Sequence, residues 1–529
     1  MIMNPNEPHG SGHTVPVWMT GAPMSRTEPL DRNLDVDVCI IGAGIAGLSA
    51  AYHLAGESKS VLVLEDGAIG SGETSRTTAH LSNAFDDRYH VIEKLHGGEA
   101  AWLTAQSHTA AIDSIEDIVR REQIECDFER LPGYLFAAPG DSPDELEREY
   151  QACHAAGLTD VAWVDQAPIE GFQTGRCLRF PHQAQLHPLH YLNGLAAAII
   201  RRGGKIHTDT HVTNVVPGKD GGSARVETGE GGYVVTARDV IVATNTPVQD
   251  MLTIHTKQYP YRTYVIGARI PRGAVVHALY WDTQNPYHYV RVQRDGDHEV
   301  LIVGGEDHKT GQNHDGPDRF LALERWARQR FPMMGEVAHH WSGQVVEPMD
   351  ALAYIGRNPG DENVWVVTGD SGNGMTHGAL AGLLLRDLIE DRDHPWSKLY
   401  DPSRKSLRAA PHYIRENLNM AAQYARWLTA GDVKDELEIE RGAGGVVREG
   451  TKLVAVYRDP DGNIHRFSPV CPHLGAIVGW NAEEGTWDCP AHGSRFDATG
   501  GVVNGPANAD LKPAAESPQE KEKKKDHAA

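Results

Sequence analysis

The sequence predicts an α/β domain followed by a small all-β domain. In the first region, a short apolar run at residues 36–41 is followed by a glycine turn and a helical pattern. Helix and strand patterns then alternate to about Asp391, as in α/β proteins. In the second region, residues 442–505 are dense in glycine and in short strand-like runs. The chain therefore joins at least two differently built domains.

Length and charge exclude several classes of protein. The 529 residues correspond to roughly three to four folded units. Asp and Glu number 72 against 50 Lys and Arg, a formal charge of −22 that repels nucleic acid, so no nucleic-acid partner is expected. Because no apolar run is long enough to span a bilayer, we expect no integral membrane segment. Six cysteines and the lack of a signal-peptide pattern predict a cytoplasmic location.

The composition shifts along the chain predict five segments. The first residues are rich in proline and glycine and are expected to wrap a surface or fray. A helical pattern at residues 402–429 suggests a connector, and a charged, proline-containing end suggests a mobile tail. The predicted boundaries are an N-terminal extension at 1–33, a main domain at 34–395, a connector at 396–430, a second domain at 431–507 and a tail at 508–529.

A glycine turn lies where dinucleotide binding requires it. Gly42, Gly44 and Gly47 form G-x-G-x-x-G between a strand and a helix. The first glycine allows a tight turn, the second lets backbone N–H groups approach a pyrophosphate, and the third permits close packing of helix and strand. Glu65 ends the next strand, where a carboxylate can accept hydrogen bonds from a ribose. We therefore predict a dinucleotide cofactor bound by these four residues.

A second strand, glycine loop and helix occurs at residues 364–389. The amino end of that helix could place a positive dipole beside a flavin ring, which gains negative charge on reduction. Together with residues 72–77 and 341–356, this layout is similar to the FAD-dependent D-amino-acid oxidase and glycine oxidase (DAO) family, over about residues 35–391.

The resemblance implies FAD as cofactor, a small-molecule amine or amino acid as substrate, and oxidation of a CH–NH bond by hydride transfer to the flavin. It also implies an antiparallel-sheet substrate domain inserted in the Rossmann-like FAD-binding domain, at about residues 100–186 and 257–345. The residues that it places near the pyrophosphate and flavin are Thr74, Arg76, Thr77, Gly372, Asn373, Gly374, Met375 and Thr376.

Two cysteines and two histidines have metal-ligand spacing near the carboxyl end. Cys471 and His473 form C-x-H, and after fifteen residues Cys489 and His492 form C-x-x-H. Two thiolates and two imidazoles can hold zinc or a [2Fe-2S] cluster, so the ligand types leave both open. The glycine-containing loops around both pairs, and a proline-bearing loop at residues 504–507, closely resemble the Rieske family over about residues 438–507. This resemblance favours a [2Fe-2S] cluster.

The Rieske-like region departs from the respiratory pattern in two ways. Neither ligand loop has a spare cysteine for a disulfide between the loops, and Phe496 occupies a position where respiratory members often have tyrosine. Ser494 keeps the hydroxyl that can donate to a cluster sulfur. We expect a reduction potential below the respiratory type, within the Rieske range of about −150 to +300 mV.

The two predicted cofactors differ in how many electrons they carry, because a flavin accepts two as hydride and a [2Fe-2S] cluster carries one. The fusion therefore predicts electron transfer from FAD to the cluster and on to an external acceptor. An NAD(P)H-dependent flavin and Rieske reductase, or a redox-sensing protein without turnover, are the alternatives. A Rieske oxygenase is disfavoured because no convincing triad of two histidines and a carboxylate is found for a mononuclear iron.

The residues of the substrate site are less well defined by the sequence. Arg262 could pair with a substrate carboxylate through two hydrogen bonds, and Tyr264 lies two positions further along the predicted substrate domain. We take both as candidate catalytic residues. The nearby His182, His187 and His190 have no suitable carboxylate partner for a metal site and are expected to be solvated or hydrogen-bonded.

Overall fold

The computed structural model describes residues 12–21, 23–56, 59–142, 144–247, 252–313 and 315–515. The chain forms two compact units. The larger unit comprises Thr14–His308 and Pro317–Ile414. The smaller unit comprises the described residues before Thr14, Lys309–Gly316 and the chain from Arg415 onward.

The larger unit contains two sheets and most of the helices. Its strands are β1 (Leu34–Ile41), β2 (Val61–Leu64), β3 (His80–Leu81), β4 (Glu129–Phe136), β5 (Ala162–Val164), β6 (Cys177–Gln185), β7 (Lys205–His207), β8 (Val212–Val216), β9 (Ala224–Thr228), β10 (Val234–Val242), β11 (Gln258–Ile270), β12 (Leu279–Asp282), β13 (His288–Asp295), β14 (His298–Lys309), β15 (Val337–Pro348), β16 (Tyr354–Arg357) and β17 (Val364–Thr368). Its helices are α1 (Ile45–Ala55), α2 (Tyr89–His96), α3 (Gly98–Glu122), α4 (Asp144–Ala155), α5 (Pro188–Arg201), α6 (Leu252–His255), α7 (Gly316–Arg330), α8 (Gly374–Ile389) and α9 (Ser397–Tyr400).

The first sheet has a parallel centre with the order β16-β17-β10-β1-β2-β7. Strand β1 pairs in parallel with β10 and β2, and β9 and β8 extend the sheet from β10. The second half of β1 and the whole of β2 are buried, as expected for parallel strands covered on both faces. Strand β17 pairs in parallel with β10. Strands β1 and β17 therefore point the same way, and the loops that follow them leave the same edge of the sheet, where cofactors bind in such folds.

The second sheet has the order β15-β11-β14-β13-β12-β4-β6-β3, with β5 added beside β6. Most of its pairs are antiparallel, and β12 pairs in parallel with β4. Helix α7 covers one face of this sheet through an apolar cluster that includes Leu323 and Trp326. The predicted α/β fold with an additional antiparallel sheet is thereby confirmed.

The smaller unit is mostly β structure. Its strands are β18 (Ala443–Glu449), β19 (Lys452–Arg458), β20 (Ile464–Phe467), β21 (Gly479–Asn481), β22 (Thr486–Asp488), β23 (Arg495–Asp497) and β24 (Val502–Asn504), and helix α10 (Ala410–Gln423) leads into it. The strands form a three-stranded and a four-stranded sheet. The turn between β19 and β20 closes where Asp459 N–H donates to Asn463 O at 3.0 Å.

The N-terminal extension packs more closely than the sequence suggested. Thr14, Trp18 and Met19 are buried, and Trp18 Nε1 donates to Thr77 O at 2.6 Å. The predicted mobile tail at 508–529 is described only as far as residue 515, and this part is packed: Leu511 is buried, and Ser468 N–H donates to Lys512 O at 2.8 Å. Residues 516–529 lie outside the described residues. Each described helix is either too short or too polar to cross a lipid bilayer.

Helix α1 approaches its neighbours closely at glycines. A Cβ at Gly47 would lie 1.9 Å from Gly42 O, and a Cβ at Gly382 would lie 2.7 Å from Ser49 O. A Cβ at Gly378 would also come close to α1, at 3.1 Å from Ala46 N. Helices α1 and α8 therefore pack backbone to backbone, which brings their preceding loops together.

Gly47→Ala should abolish cofactor retention or folding, because its methyl group overlaps the Gly42 carbonyl and cannot be accommodated without moving the turn. Gly98→Ala is the control, since the nearest atom to its added Cβ is 3.9 Å away. Flavin content per chain and Tm measure the effect. Equal flavin content and Tm in the two variants would contradict the close packing.

Candidate functional site

The glycine turn after β1 has the conformation that the motif requires. Gly42 has φ of +105°, and a Cβ there would lie 2.5 Å from Ala243 O. Ala43 N–H donates to Glu65 Oε2 at 2.5 Å, and Gly67 N–H donates to Glu65 Oε1 at 3.1 Å. Burial raises the pKa of Glu65. The carboxylate therefore lies beside the turn, at the position predicted for a ribose contact.

The segment at residues 72–77 brings Thr74 into contact with the first residue of α1. Thr74 Oγ1 accepts a hydrogen bond from Ile45 N–H at 3.2 Å and lies 3.1 Å from the position of a Cβ on Gly44. Thr77 Oγ1 accepts from Ala79 N–H. The segment thus meets the glycine turn, as expected for residues near a pyrophosphate.

Arg76 is buried beneath the same segment. Its guanidinium donates to Ser342 O at 2.7 Å and to Thr14 Oγ1 at 2.9 Å. Trp341 Nε1 donates to Arg76 O at 2.9 Å. The N-terminal extension and strand β15 therefore fix Arg76, although the sequence suggested no chemistry for the extension.

The loop before α8 is the second part of the candidate cofactor site. Gly372 has φ of +70°, and a Cβ there would lie 2.4 Å from Asp86 Oδ2. Asn373 Oδ1 accepts from Asp86 N–H at 3.2 Å. Gly374, Met375 and Thr376 form the first turn of α8, where free N–H groups and the helix dipole favour negative charge. This loop suits the anionic edge of a reduced flavin.

Four carboxylates surround this loop, and we call Asp86, Asp87, Glu347 and Asp370 the acidic cluster. Tyr287 Oη donates to Asp86 Oδ2 at 2.8 Å. Ser371 Oγ donates to Glu347 Oε2 at 2.9 Å and also contacts Asp87. Asp370 Oδ1 accepts from Val346 N–H at 3.3 Å. The cluster therefore gathers residues from three distant parts of the chain.

Burial raises the pKa of every member of the acidic cluster. The pKa is about 6 for Asp86 and Asp370 and about 7 for Asp87. Glu347 is shifted well upward, by burial and then by the charges of Asp87 and Asp86. Neighbouring Asp307, hydrogen-bonded to Thr263, has a pKa raised to about 7 by burial. Raised carboxyl pKa values concentrated at one loop are typical of a functional site.

Two buried polar groups close to the glycine turn favour a polar ligand there. Within the described part of the chain, Asn245 Nδ2 and Thr246 Oγ1 have no hydrogen-bond partner. Leaving a buried donor unsatisfied costs about 1–3 kcal/mol. Both groups follow β10, which pairs with β1 and so ends at the same edge of the sheet. Together with the glycine cradle and Glu65, these residues fit a dinucleotide.

The predicted substrate residues lie on the other face of β11. Arg262 Nη1 donates to Ser342 Oγ at 2.5 Å, and Tyr264 Oη pairs with His308 Nε2 at 2.9 Å in the apolar layer under α7. Between them, Thr263 points to the opposite face and its hydroxyl contacts Tyr289 Oη at 2.7 Å. The structure thus places Thr263, rather than Arg262 or Tyr264, on the side of the acidic cluster. The catalytic roles of Arg262 and Tyr264 stay predictions.

The cysteine and histidine quartet lies in two matched loops of the smaller unit. In each loop the glycine four residues after the cysteine, Gly475 or Gly493, has φ of +78°. Its N–H donates to the cysteine carbonyl at 3.0 Å. The rings of His473 and His492 lie edge to face, with centroids 4.9 Å apart. The two loops therefore bring together a pair of cysteines and a pair of histidines, the four predicted ligands.

The two thiols are in hydrogen-bond contact with each other, and this contact is the main cause that lowers the pKa of Cys471. The backbone N–H of His473 and the Ser494 hydroxyl lower that pKa further. Ser494 Oγ also accepts from Ala507 N–H at 3.0 Å, which ties down the third loop. These donors would stabilise a thiolate ligand.

The paired arrangement fits a binuclear cluster, in which each iron takes two protein ligands. Among the described residues, no three Cys, His, Asp or Glu side chains converge as a single metal ion would need. The six cysteines are free thiols. The paired cysteines and histidines of the smaller unit fit an iron–sulfur centre, and the larger unit has a candidate dinucleotide site. Together these two sites indicate a redox protein with a nucleotide cofactor and an iron–sulfur centre.

Comparisons with known proteins support both assignments. Residues 37–388 match the family of FAD dependent oxidoreductases (DAO), and residues 427–515 match the Rieske [2Fe-2S] domain. The chain therefore belongs to the FAD dependent oxidoreductase (DAO) family and carries a C-terminal Rieske domain. FAD and a [2Fe-2S] cluster are the cofactors of these two domains.

The relatives show the same two-part organisation or its first part. Bacillus subtilis strain 168 has a protein, YhfW, whose assigned name describes a Rieske 2Fe-2S iron-sulfur protein; it is 30% identical over 94% of this chain and 96% of its own length. Gamma-glutamylputrescine oxidoreductase of Escherichia coli K12 is 28% identical over 68% of this chain and 85% of its own. Glycine oxidase from Geobacillus kaustophilus shares the fold with a TM-score of 0.58 and 20% identity, covering 70% of this chain and 99% of that chain.

The sequence did not reveal the acidic cluster or the role of Arg291. Arg291 is fully buried and donates to Thr78 O, Ala79 O and Leu186 O, so it supports the segment that follows Arg76. The adjacent acids at 86 and 87, next to Arg88, were a weak local signal. Glu347 and Asp370 join them only through sheet pairing and the turn before α8.

The [2Fe-2S] cluster should have a reduction potential below that of the respiratory type, within the Rieske range of about −150 to +300 mV, because Phe496 offers no hydroxyl to a cluster sulfur. Ser494→Ala should lower the potential further by removing a donor to Cys471. Redox titration of the holoprotein measures both values, with exposed Ser403→Ala as control. A wild-type value near the upper limit, or an unchanged potential in Ser494→Ala, would contradict this interpretation.

Proposed function

We propose that the protein oxidises the CH–NH bond of a small amine, and that the electrons pass from FAD to the Rieske cluster and then to an external acceptor. Gly42, Gly44, Gly47 and Glu65 bind the ADP half of FAD, with Thr74, Arg76 and Thr77 nearby. The residues from Gly372 to Thr376 border the flavin ring. The cluster ligands are Cys471, His473, Cys489 and His492.

The observation that carries this proposal is the joining of a DAO-type site to a Rieske site in one chain. FAD supplies two-electron oxidation of the amine when bound, and the cluster supplies one-electron transfer. An oxidase that passes electrons directly from FAD to oxygen would not need a cluster for one-electron transfer. The fusion therefore favours a dehydrogenase.

The acidic cluster favours a cationic amine over an amino acid as substrate. Asp86, Asp87 and Glu347 lie around the loop that meets the flavin, and Asp307 lies nearby beneath Thr263. These carboxylates attract an ammonium group and would repel a substrate carboxylate. Arg262, the cation expected to bind such a carboxylate, is buried on the other face of β11. The name of the Escherichia coli relative, an oxidoreductase of a putrescine derivative, is consistent with an amine.

An anaerobic mixing experiment tests the reaction. Purified holoprotein is mixed with diamines, monoamines, N-methyl amines and amino acids, and then with NADH and NADPH. Flavin absorbance and the EPR signal of the reduced cluster are recorded. We expect an amine to bleach the flavin and the EPR signal to follow.

Each other result assigns a different function. Bleaching by NADH or NADPH alone would reverse the electron flow and make the protein a reductase. Flavin reduction by an amine with no cluster signal would contradict the transfer step. No response to any donor, with full cofactor content, would favour a redox sensor.

Asp86→Asn should raise the KM for a diamine about tenfold, equal to about 1.4 kcal/mol, because it removes charge while the amide oxygen can still accept from Tyr287. The wild-type KM should fall as pH rises through about 6, where Asp86 ionises, and this dependence should weaken in the variant. Steady-state kinetics from pH 5 to 8 measure both effects.

The control is Asp160→Asn, which removes an exposed carboxylate paired with His182. It should leave KM and its pH dependence unchanged. An amino acid as the preferred substrate, or equal KM values in Asp86→Asn and wild type, would contradict the cationic-substrate hypothesis.

A further inference from the structure

The loops that carry the cluster ligands are held by side chains from outside the Rieske strands. At the first loop, Tyr424 Oη donates to Leu474 O at 2.9 Å and Trp427 Nε1 donates to Gly475 O at 3.1 Å. Both donors follow helix α10. The first loop is thus fixed by the chain that enters the smaller unit.

The second loop is held by residues 309–312, which we call the strap. Gln312 Nε2 donates to Pro490 O at 3.2 Å and to Asn419 Oδ1 of α10 at 2.9 Å. Both amide hydrogens of Gln312 are therefore used, and they connect α10 to the residue that follows Cys489.

Gly311 brings the strap into direct backbone contact with the same loop. It has φ of +70°, and a Cβ there would lie 2.9 Å from Pro490 N and 3.1 Å from Asp488 O. Lys309 anchors the strap through an ion pair with Glu416, which is buried. The strap is thus fixed to α10 at Lys309 and Gln312, and it touches the ligand loop between these points.

The strap is separate in sequence from the Rieske domain that it contacts. It lies within residues 37–388, which match the FAD dependent oxidoreductase family, and more than a hundred positions before residues 427–515. The chain nevertheless packs it into the smaller unit. A Rieske domain expressed alone would lack these contacts.

We propose that the strap positions the second ligand loop and that Gln312 helps to set the reduction potential of the cluster. This inference rests on the proposed assignment of Cys489 and His492 as cluster ligands. The Gln312 amide presents its positive end to the carbonyl of Pro490, the residue that follows the proposed ligand Cys489. Reduction adds one negative charge to the cluster, so the charge at position 312 affects the reduced state more than the oxidised state.

Gln312→Glu keeps the length of the side chain but replaces a donor with a negative charge that faces two oxygen acceptors. At the potential where the wild-type cluster is half reduced, we expect an about tenfold lower ratio of reduced to oxidised cluster, or about 59 mV for one electron. Gln312→Ala should shift the potential in the same direction by less. Dithionite titration of full-length holoprotein, followed by EPR and by iron content, measures these effects without any amine.

Two residues of the turn between β18 and β19 provide matched controls. Exposed Thr451→Glu adds the same charge away from the ligand loops, and Gly450→Ala adds a methyl group with no atom within 4 Å at another positive-φ glycine. Gly311→Ala, in contrast, should change the EPR g-values of the reduced cluster because its methyl group displaces Pro490.

The results separate this inference from the proposed function. A lowered potential, or a loss of iron with full flavin content, in Gln312→Glu but not in Thr451→Glu supports the positioning role. Equal potentials and iron contents in these two variants, with wild-type g-values in Gly311→Ala, would overturn it. A wild-type protein without any Rieske-type EPR signal would overturn the ligand assignment on which both proposals rest.

Discussion

The close approach of helix α1 to strand β1 and helix α8 is the constraint on which the cofactor site depends. Gly47 leaves room for the Gly42 carbonyl, and Gly378 and Gly382 allow α8 to contact the backbone of α1. Both helices then begin at one edge of the parallel sheet, with their amino ends at the candidate cofactor site. A methyl group at any of these contacts would separate the two loops that we propose bind one FAD.

The candidate cofactor site and the acidic cluster beside it favour charges of opposite sign. The glycine turn and the start of α8 offer backbone N–H groups to an anionic cofactor, while the acidic cluster beside Gly372 concentrates buried carboxylates. Buried carboxylates that repel one another raise the free energy of the ionised state, and a cation bound among them would lower it. The same arrangement accounts for the raised pKa values and is the basis of the proposed preference for an amine.

The local motifs could be predicted from the sequence because each depends on neighbouring residues. The turn at Gly42, the acid at Glu65 and the quartet beginning at Cys471 each lie in short segments whose conformation follows from glycine placement and strand pattern. The acidic cluster and the strap could not be predicted in this way. Glu347 meets Ser371 only because β15 lies beside the loop after β17, and Gln312 reaches Pro490 across 178 positions of sequence.

We propose that electrons from the amine leave the protein through the Rieske cluster. Cys489→Ser, which removes a proposed thiolate ligand and leaves the proposed FAD residues intact, tests this most directly in a comparison of two rates. The account predicts that an amine still reduces the flavin at the wild-type rate, whereas turnover with a one-electron acceptor such as ferricenium falls at least tenfold, about 1.4 kcal/mol in the activation free energy. Unchanged turnover with that acceptor in a variant that lacks the cluster would contradict the account.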